Sequence, residues 1–206
     1  MRRATTARSR GSTDVLTREL GNTGIRLPGI GFGTWAIGGE APGTLGYGPA
    51  DDDESLAALT EAYRLGCNFF DTSPLYGWGH AEEPLGAAFA DRRHDVVIAT
   101  KAGYVSPDGR QDFSAEGIRA SVEASLLRLR TDYVDLLQLH NPPPELLEDN
   151  RPLSRCLEAL KDDGLVRAIG ISARTPDEAL VLARRHAPSF LQVTFNLGDL
   201  RALRNG

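Results

Sequence analysis

The sequence predicts a parallel α/β barrel of the (β/α)8 type, with about six of the eight βα units in this chain. Three observations predict it. Short apolar runs rich in β-branched residues alternate with amphipathic helical patterns, which argues for a parallel sheet built by crossovers. Consecutive runs end on polar side chains: Asp71, with Tyr76 in the turn that follows, then Lys101, then His140. In parallel βα proteins the carboxyl ends of the strands converge on one site. The competing open sheet would carry G-x-G-x-x-G straight after its first strand, but Gly29, Gly31 and Gly33 fall within the predicted strand and Thr34 stands at the last glycine position.

Residues 1–14 hold Arg2, Arg3, Arg8 and Arg10 among Ser, Thr and Gly and are expected to form a disordered basic tail. Residues 15–206 are then the partial barrel. Arg18 to Thr34 reads as a hairpin turned by Asn22-Thr23-Gly24, leading into a first strand over Gly29–Trp35. A Gly-rich loop spans Gly38 to Gly48. The helix Asp53–Leu65 stops at Gly66, and the strand Cys67–Asp71 follows. A short helix over Glu82–Ala90 tolerates Pro84 in its first turn. The strand Val96–Thr100 precedes the helix Ser114–Leu129, whose apolar face is Ile118, Val122, Leu126 and Leu129 and whose N-cap is Ser114. The strand Tyr133–Leu139, the helix Leu153–Asp163 and the strand Val166–Ile171 come next. Thr175 to Glu178 is a capping box that starts a helix to about His186, and Phe190–Phe195 is the sixth strand.

Composition narrows the function classes. The chain has 206 residues and is 41% hydrophobic with a net charge of −5, which argues against a nucleic-acid surface. No apolar run reaches the ~20 residues of a membrane span. Cys67 and Cys156 read as reduced thiols of a cytoplasmic protein. His80, His94 and His186 lack metal-ligand spacing, so no metal site is expected.

The polar strand ends suit one kind of chemistry. A free phenol titrates near ~10 and is a poor proton donor at neutral pH. A neighbouring ammonium favours tyrosinate, and a carboxylate keeps that ammonium charged in a low-dielectric site. Asp71 would pair Lys101, Lys101 would tune Tyr76, and His140 would donate to an oxygen that becomes negative during reaction. A lysine so paired stays protonated, which disfavours Schiff-base chemistry. Trp35 and Trp78, on loops after the first two strands, and more weakly Tyr104, are candidates to line a substrate pocket with Tyr76 and His140.

The segments FFDTSPLYGWGHAEEPLG, VVIATKAG, YVDLLQLHNP and AIGIS resemble, in order, the motifs of the aldo-keto reductases. The resemblance covers nearly all of Arg18 to Leu197. It implies an NADPH-dependent enzyme that reduces a small aldehyde or ketone by hydride transfer. By that resemblance Tyr76 is the general acid, Lys101 tunes it, Asp71 pairs the lysine and His140 orients the carbonyl. It also implies NADP(H) binding by Gly33, Thr34, Trp35, Asp71, His140, Asn141, Ser172 and Gln192. Ala173 stands where the family has an asparagine. The family's seventh and eighth strands, with loops that hold the coenzyme phosphates, have no counterpart here. Two open strand edges are then expected, and self-association through them. The alternative function class is a catalytically silent barrel fragment that acts as a binding or assembly partner.

Overall fold

The chain enters as an antiparallel hairpin of β1 (Thr17–Glu19) and β2 (Arg26–Pro28). The Thr23 N–H donates to the Leu20 carbonyl at 3.1 Å, and Gly24 takes φ +72°, a left-handed conformation open to glycine. This is a computed structural model that describes residues 16–40, 47–148, 150–186 and 188–204. The expected tail over 1–14 lies outside the described residues, as does the middle of the Gly-rich loop.

Six strands then form one parallel sheet in sequential order: β3 (Phe32–Gly33), β4 (Phe69–Asp71), β5 (Val97–Ala102), β6 (Val134–His140), β7 (Val166–Ala173) and β8 (Leu191–Val193). These are six of the eight strands of a (β/α)8 barrel, and the hairpin stands apart as a second small sheet. The helices α1 (Asp52–Arg64), α2 (Glu82–Phe89), α3 (Ala115–Leu129), α4 (Arg151–Asp162) and α5 (Pro176–His186) separate the strands, and α6 (Arg201–Arg204) follows β8.

Strand periodicity sorts the core into two parts. One set of side chains, including Phe70, Ile98, Leu137, Leu139 and Ile171, packs against Leu59, Leu85, Phe89, Ile118, Leu129 and Leu160 of the helices. The alternate set, Ala99, Leu136 and Ala168, packs with Phe69, Val97 and Phe190 and with Ile25, Leu20 and Leu27 of the hairpin region. The hairpin therefore closes the amino end of the barrel interior. Each fully buried Leu, Ile or Phe in these layers contributes roughly 1.5–3 kcal/mol. At the same end Asp135, 1% exposed, accepts from Arg93 Nη2 and Arg167 Nη1, each at 2.7 Å, and from the Ile98 N–H at 2.9 Å. Its charge is neutralised and its lone pairs are filled, as a buried carboxylate requires.

Several boundaries differ from the sequence reading. The first strand keeps only Phe32–Gly33 of the expected Gly29–Trp35, because it is an edge strand paired with β4 alone. The Phe69 ring lies 2.4 Å from where a Gly31 Cβ would be, so the chain comes close there without continuing the ladder. Trp35 instead leads a 3-10 turn, Ala36–Gly38. The sixth strand shrinks to Leu191–Val193, the other edge. Helix α4 begins two residues early because the Asn150 side chain caps it, accepting from the Leu153 N–H at 3.1 Å. Ser114 caps α3 as expected, accepting from the Gly117 N–H at 3.0 Å. The capping box at α5 is half formed. Thr175 Oγ1 accepts from the Glu178 N–H at 3.2 Å, but the Glu178 carboxylate receives the Arg174 N–H at 3.1 Å rather than that of Thr175.

Helices α2 and α3 meet through Gly86, where an added Cβ would lie 2.6 Å from the Leu129 carbonyl carbon and oxygen. Backbone cannot yield as a side chain end can. Gly86→Ala is expected to destabilise the fold by about 1–3 kcal/mol, read as a fall in the thermal midpoint. An unchanged midpoint would contradict this packing.

Candidate functional site

At the carboxyl end of the barrel the inward positions change from apolar to polar. Asp71 ends β4, Lys101 lies near the end of β5, Gln138 and His140 lie on β6, Ser172 on β7 and Gln192 on β8. Register places Lys101 beside Gln138, His140 beside Ser172, and Ser172 beside Gln192. One rim thus carries all of these groups because β-strand side chains alternate with a period of two.

Lys101 is the centre. Its side chain is 2% exposed, yet its ammonium donates to Asp71 Oδ2 at 2.7 Å, the Thr72 carbonyl at 2.9 Å and Tyr76 Oη at 3.0 Å. Three N–H donors meet three acceptors, the full capacity of an ammonium. Burial pushes the Lys101 pKa down, but the charge of Asp71, then Tyr76, and their hydrogen bonds outweigh it, and the net direction is up. A raised folded-state pKa contributes stability below the ordinary lysine value of ~10.4 that is lost as pH rises through the folded pKa.

Tyr76 opens a 3-10 turn, Tyr76–Gly79, that lies against Gly38. A Cβ on Gly77 would stand 1.9 Å from the Gly38 carbonyl oxygen, and Gly77 takes φ +61°. Only glycine permits that approach, which fixes the turn presenting Tyr76. The Trp35 ring stacks on Tyr76 with centroids 5.6 Å apart and planes 13° apart, and Tyr47 stacks on the other part of this aromatic group at 6.0 Å from Trp35.

His140 is 7% exposed. Its Nδ1 lies 3.3 Å from Ser73 Oγ, and the Tyr104 ring meets it edge-on at 4.8 Å. Gln111 donates to the carbonyls of His140 and Asn141 at 3.0 and 3.1 Å, tying the loop that carries Tyr104 to the end of β6. Burial first, then the charges of Lys101 and Arg174, push the His140 pKa down to about 3. Asn141 takes φ +52°, and its Oδ1 accepts from Ser172 Oγ at 3.2 Å.

The structure therefore brings Asp71, Tyr76, Lys101, His140, Trp35 and Tyr104 to one rim, with Asn141, Ser172 and Gln192 on the adjoining strand ends. Thr34 is buried, and its N–H and hydroxyl both donate to the Asp71 carbonyl, so it positions the backbone of β4. Gly33 pairs with Asp71 and has nothing within 4 Å of an added Cβ. Trp78 is half-buried in the turn, at φ +54°, and makes no ring contact with Tyr76 or His140 among the described residues. The sequence reading overlooked Ser73, Gln111 and Gln138. Gln138 was detectable: it interrupts the apolar run Leu136–Leu139 two residues before His140, and so on the same face.

The depressed His140 pKa has a signed consequence. The unfolded chain takes up a proton near pH ~6.5, whereas the folded ring stays neutral down to about 3. The fold therefore loses stability as pH falls between those values. In NMR spectra assigned with His140→Asn, the His140 ring signal should stay at its neutral position from about pH 8 to about pH 5, across the ordinary histidine midpoint. A titration centred near ~6.5 would contradict this account of the pocket.

Residues 29–204 match the model of the aldo/keto reductase family. The chain is 37% identical over 188 residues to L-galactose dehydrogenase of Arabidopsis thaliana, covering 88% of this chain and 56% of that protein. It is 34% identical over 200 residues to the NADH-specific methylglyoxal reductase of Escherichia coli, covering 90% and 60%. Among solved structures, the holo form of the aldo-keto reductase AKR11C1 from Bacillus halodurans superposes with a TM-score of 0.75 at 29% identity, covering 88% of this chain and 58% of that one. The chain spans a little over half the length of these curated relatives. On the family match, the sequence identity and the shared barrel together, this chain belongs to the aldo/keto reductase family.

Proposed function

We propose that this chain carries the proton-transfer site of a nicotinamide-dependent reductase that converts an aldehyde or ketone to an alcohol, working in the cytoplasm. The observation that carries the reading is the saturated ammonium of Lys101. Tyr76 Oη accepts one of its hydrogens, so the phenol's own hydrogen turns away from Lys101. A carbonyl oxygen held there receives that hydrogen as its carbon gains a hydride. The phenolate left behind is stabilised by the ammonium, whose own charge is balanced by Asp71.

His140 supports the same oxygen. Its neutral ring holds one N–H. With that hydrogen on Nε2, the Ser73 hydroxyl donates to Nδ1 and the ring is a donor rather than a competing acid. A donor aimed at developing negative charge lowers the barrier without delivering the proton itself. Trp35 and Tyr104 flank Tyr76 and His140 and form apolar walls for a small substrate.

A bound nicotinamide coenzyme supplies the hydride in such a reaction. The donor set fits a carboxamide: Ser172 hydroxyl, Asn141 amide and Gln192 amide stand at neighbouring strand ends. Gly33, beside Asp71 in the register, has no described atom within 4 Å of an added Cβ. Ala173 offers no side-chain hydrogen bond, so Ser172, Asn141 and Gln192 carry that recognition. NADPH is the first coenzyme to test, and the E. coli relative named as NADH-specific makes NADH the second arm.

The test compares this chain with Tyr76→Phe and Lys101→Met in coenzyme oxidation with 4-nitrobenzaldehyde. Each substitution should lower turnover by about 100-fold or more, while coenzyme binding, followed by tryptophan fluorescence, stays close to that of the parent. Equal turnover in Tyr76→Phe would remove the phenol from the reaction.

A further inference from the structure

The site contains a buried amide that the reaction as described does not use. Gln138 is 2% exposed and lies beside Lys101 in the sheet register. Its Nε2 donates to Asp71 Oδ1 at 2.9 Å, while Asp71 Oδ2 accepts from Lys101. Its Oε1 is buried and finds no hydrogen-bond partner among the described residues. Turning the amide over would not help, because it would set a carbonyl oxygen against a carboxylate oxygen. A leucine or methionine would fill this position without burying an orphan acceptor. The amide is thus retained at a cost in stability, and the only bond it makes among the described residues is to Asp71.

We propose that Gln138 is a positioning residue for the proton-transfer site, acting through Asp71 to hold its carboxylate against Lys101; this rests on the function proposed above. A carboxylate on a single χ2 axis can rotate. With one oxygen held by the Gln138 amide, the other is fixed toward the ammonium. The ammonium in turn needs the carboxylate's charge, since burial works against it. The chain of dependence runs from Gln138 to Asp71, from Asp71 to Lys101, and from Lys101 to the phenol of Tyr76. The charged or titratable groups facing Lys101 are Asp71 on β4, Tyr76 on the following turn and His140 on β6. His140 is neutral over the range that matters, so Asp71 is the group through which Gln138 can act.

The sequence makes a direct test possible, because Lys101 and Lys161 are its only lysines. Labelling lysine Cε with 13C gives two side-chain signals in the full chain, assigned with Lys101→Arg, and reads Lys101 without any turnover. Gln138→Met should lower the Lys101 titration midpoint by about one unit. Gln138→Glu keeps the side chain's shape, but at the pH where Lys101 titrates its carboxyl is ionised and adds negative charge beside the ammonium, which favours the charged lysine directly. Its Lys101 midpoint should stay at or above that of the parent. Loss of packing alone would move both variants the same way, so opposite behaviour separates positioning from structure, with circular dichroism confirming that each variant folds.

Asp71→Asn separates the two proposals. If Asp71→Asn lowers the midpoint but Gln138→Met does not, Gln138 is not the positioning residue and the site reading stands. If Asp71→Asn leaves the midpoint unchanged, the ammonium does not depend on its carboxylate and the proton-transfer reading falls with it. A lowered midpoint in both Gln138 variants would overturn the proposal as well.

Discussion

A lysine ammonium buried inside a barrel must find acceptors for all three of its hydrogens, and in this protein that requirement organises everything around it. An uncompensated ammonium in a low-dielectric interior costs several kcal/mol, so the fold has to deliver its partners from different parts of the chain. Asp71 arrives at the end of β4, the Thr72 carbonyl as that strand turns away, and Tyr76 from the turn beyond. The turn is fixed in place by the contact of Gly77 with Gly38. If the strands slipped by one residue, Lys101 would face the helices and the remaining carboxylate would be stranded. Register in this sheet is therefore enforced by charge at the carboxyl end as well as by apolar packing at the amino end.

The two ends of the barrel each hold a carboxylate in an ion pair, Asp135 buried and Asp71 half-buried, and their partners differ. Asp135 receives two guanidinium groups and one backbone N–H. Guanidinium and peptide N–H groups do not give up protons in proteins, so this kind of cluster binds strands together and nothing more. Asp71 receives a lysine and an amide, and the lysine's third partner is a phenol. A phenol can release a proton and an ammonium can stabilise what remains. The same charge arithmetic gives stability at one end and supports the proposed proton transfer at the other because of what the third acceptor is.

Much of this was legible in the sequence, and the remainder was hidden for physical reasons. The strand ends Asp71, Lys101 and His140 stood out because a polar residue closing a buried apolar run has to be satisfied by something. The capping signals at Ser114 and Thr175 marked two helix starts, since those side chains bond to local backbone. Edge strands were harder. The first strand loses most of its expected length because pairing, not local propensity, defines a strand, and β3 has one neighbour in the sheet. Ser73 and Gln111 were hidden because their partners are His140 and its carbonyl, distant in sequence. Trp78 shows how little adjacency in sequence decides: it stands two residues after Tyr76, yet from its left-handed turn it makes no ring contact with Tyr76 among the described residues.

The interior changes character along the barrel axis, and that gradient explains why the polar groups can work at all. Toward the hairpin, Ala99, Leu136 and Ala168 with Phe69 and Phe190 fill the space between strands. Phe190 lies so close over Gly170 that a Cβ there would meet its ring at 2.5 Å. Water cannot reach the Lys101 ammonium from that side, so its bonds to Asp71 and Tyr76 are not diluted by solvent and gain strength from the low dielectric. The opposite side is the strand-end rim, where Trp35 is partly exposed and Tyr76 is half-buried. Packed residues on the hairpin side and a partly open rim on the other leave the phenol of Tyr76 nearer the rim than the buried Lys101 and Gln138. The orphaned oxygen of Gln138 belongs to that buried layer: its cost is tolerable only where the donor on the same amide is needed to keep a charge in place.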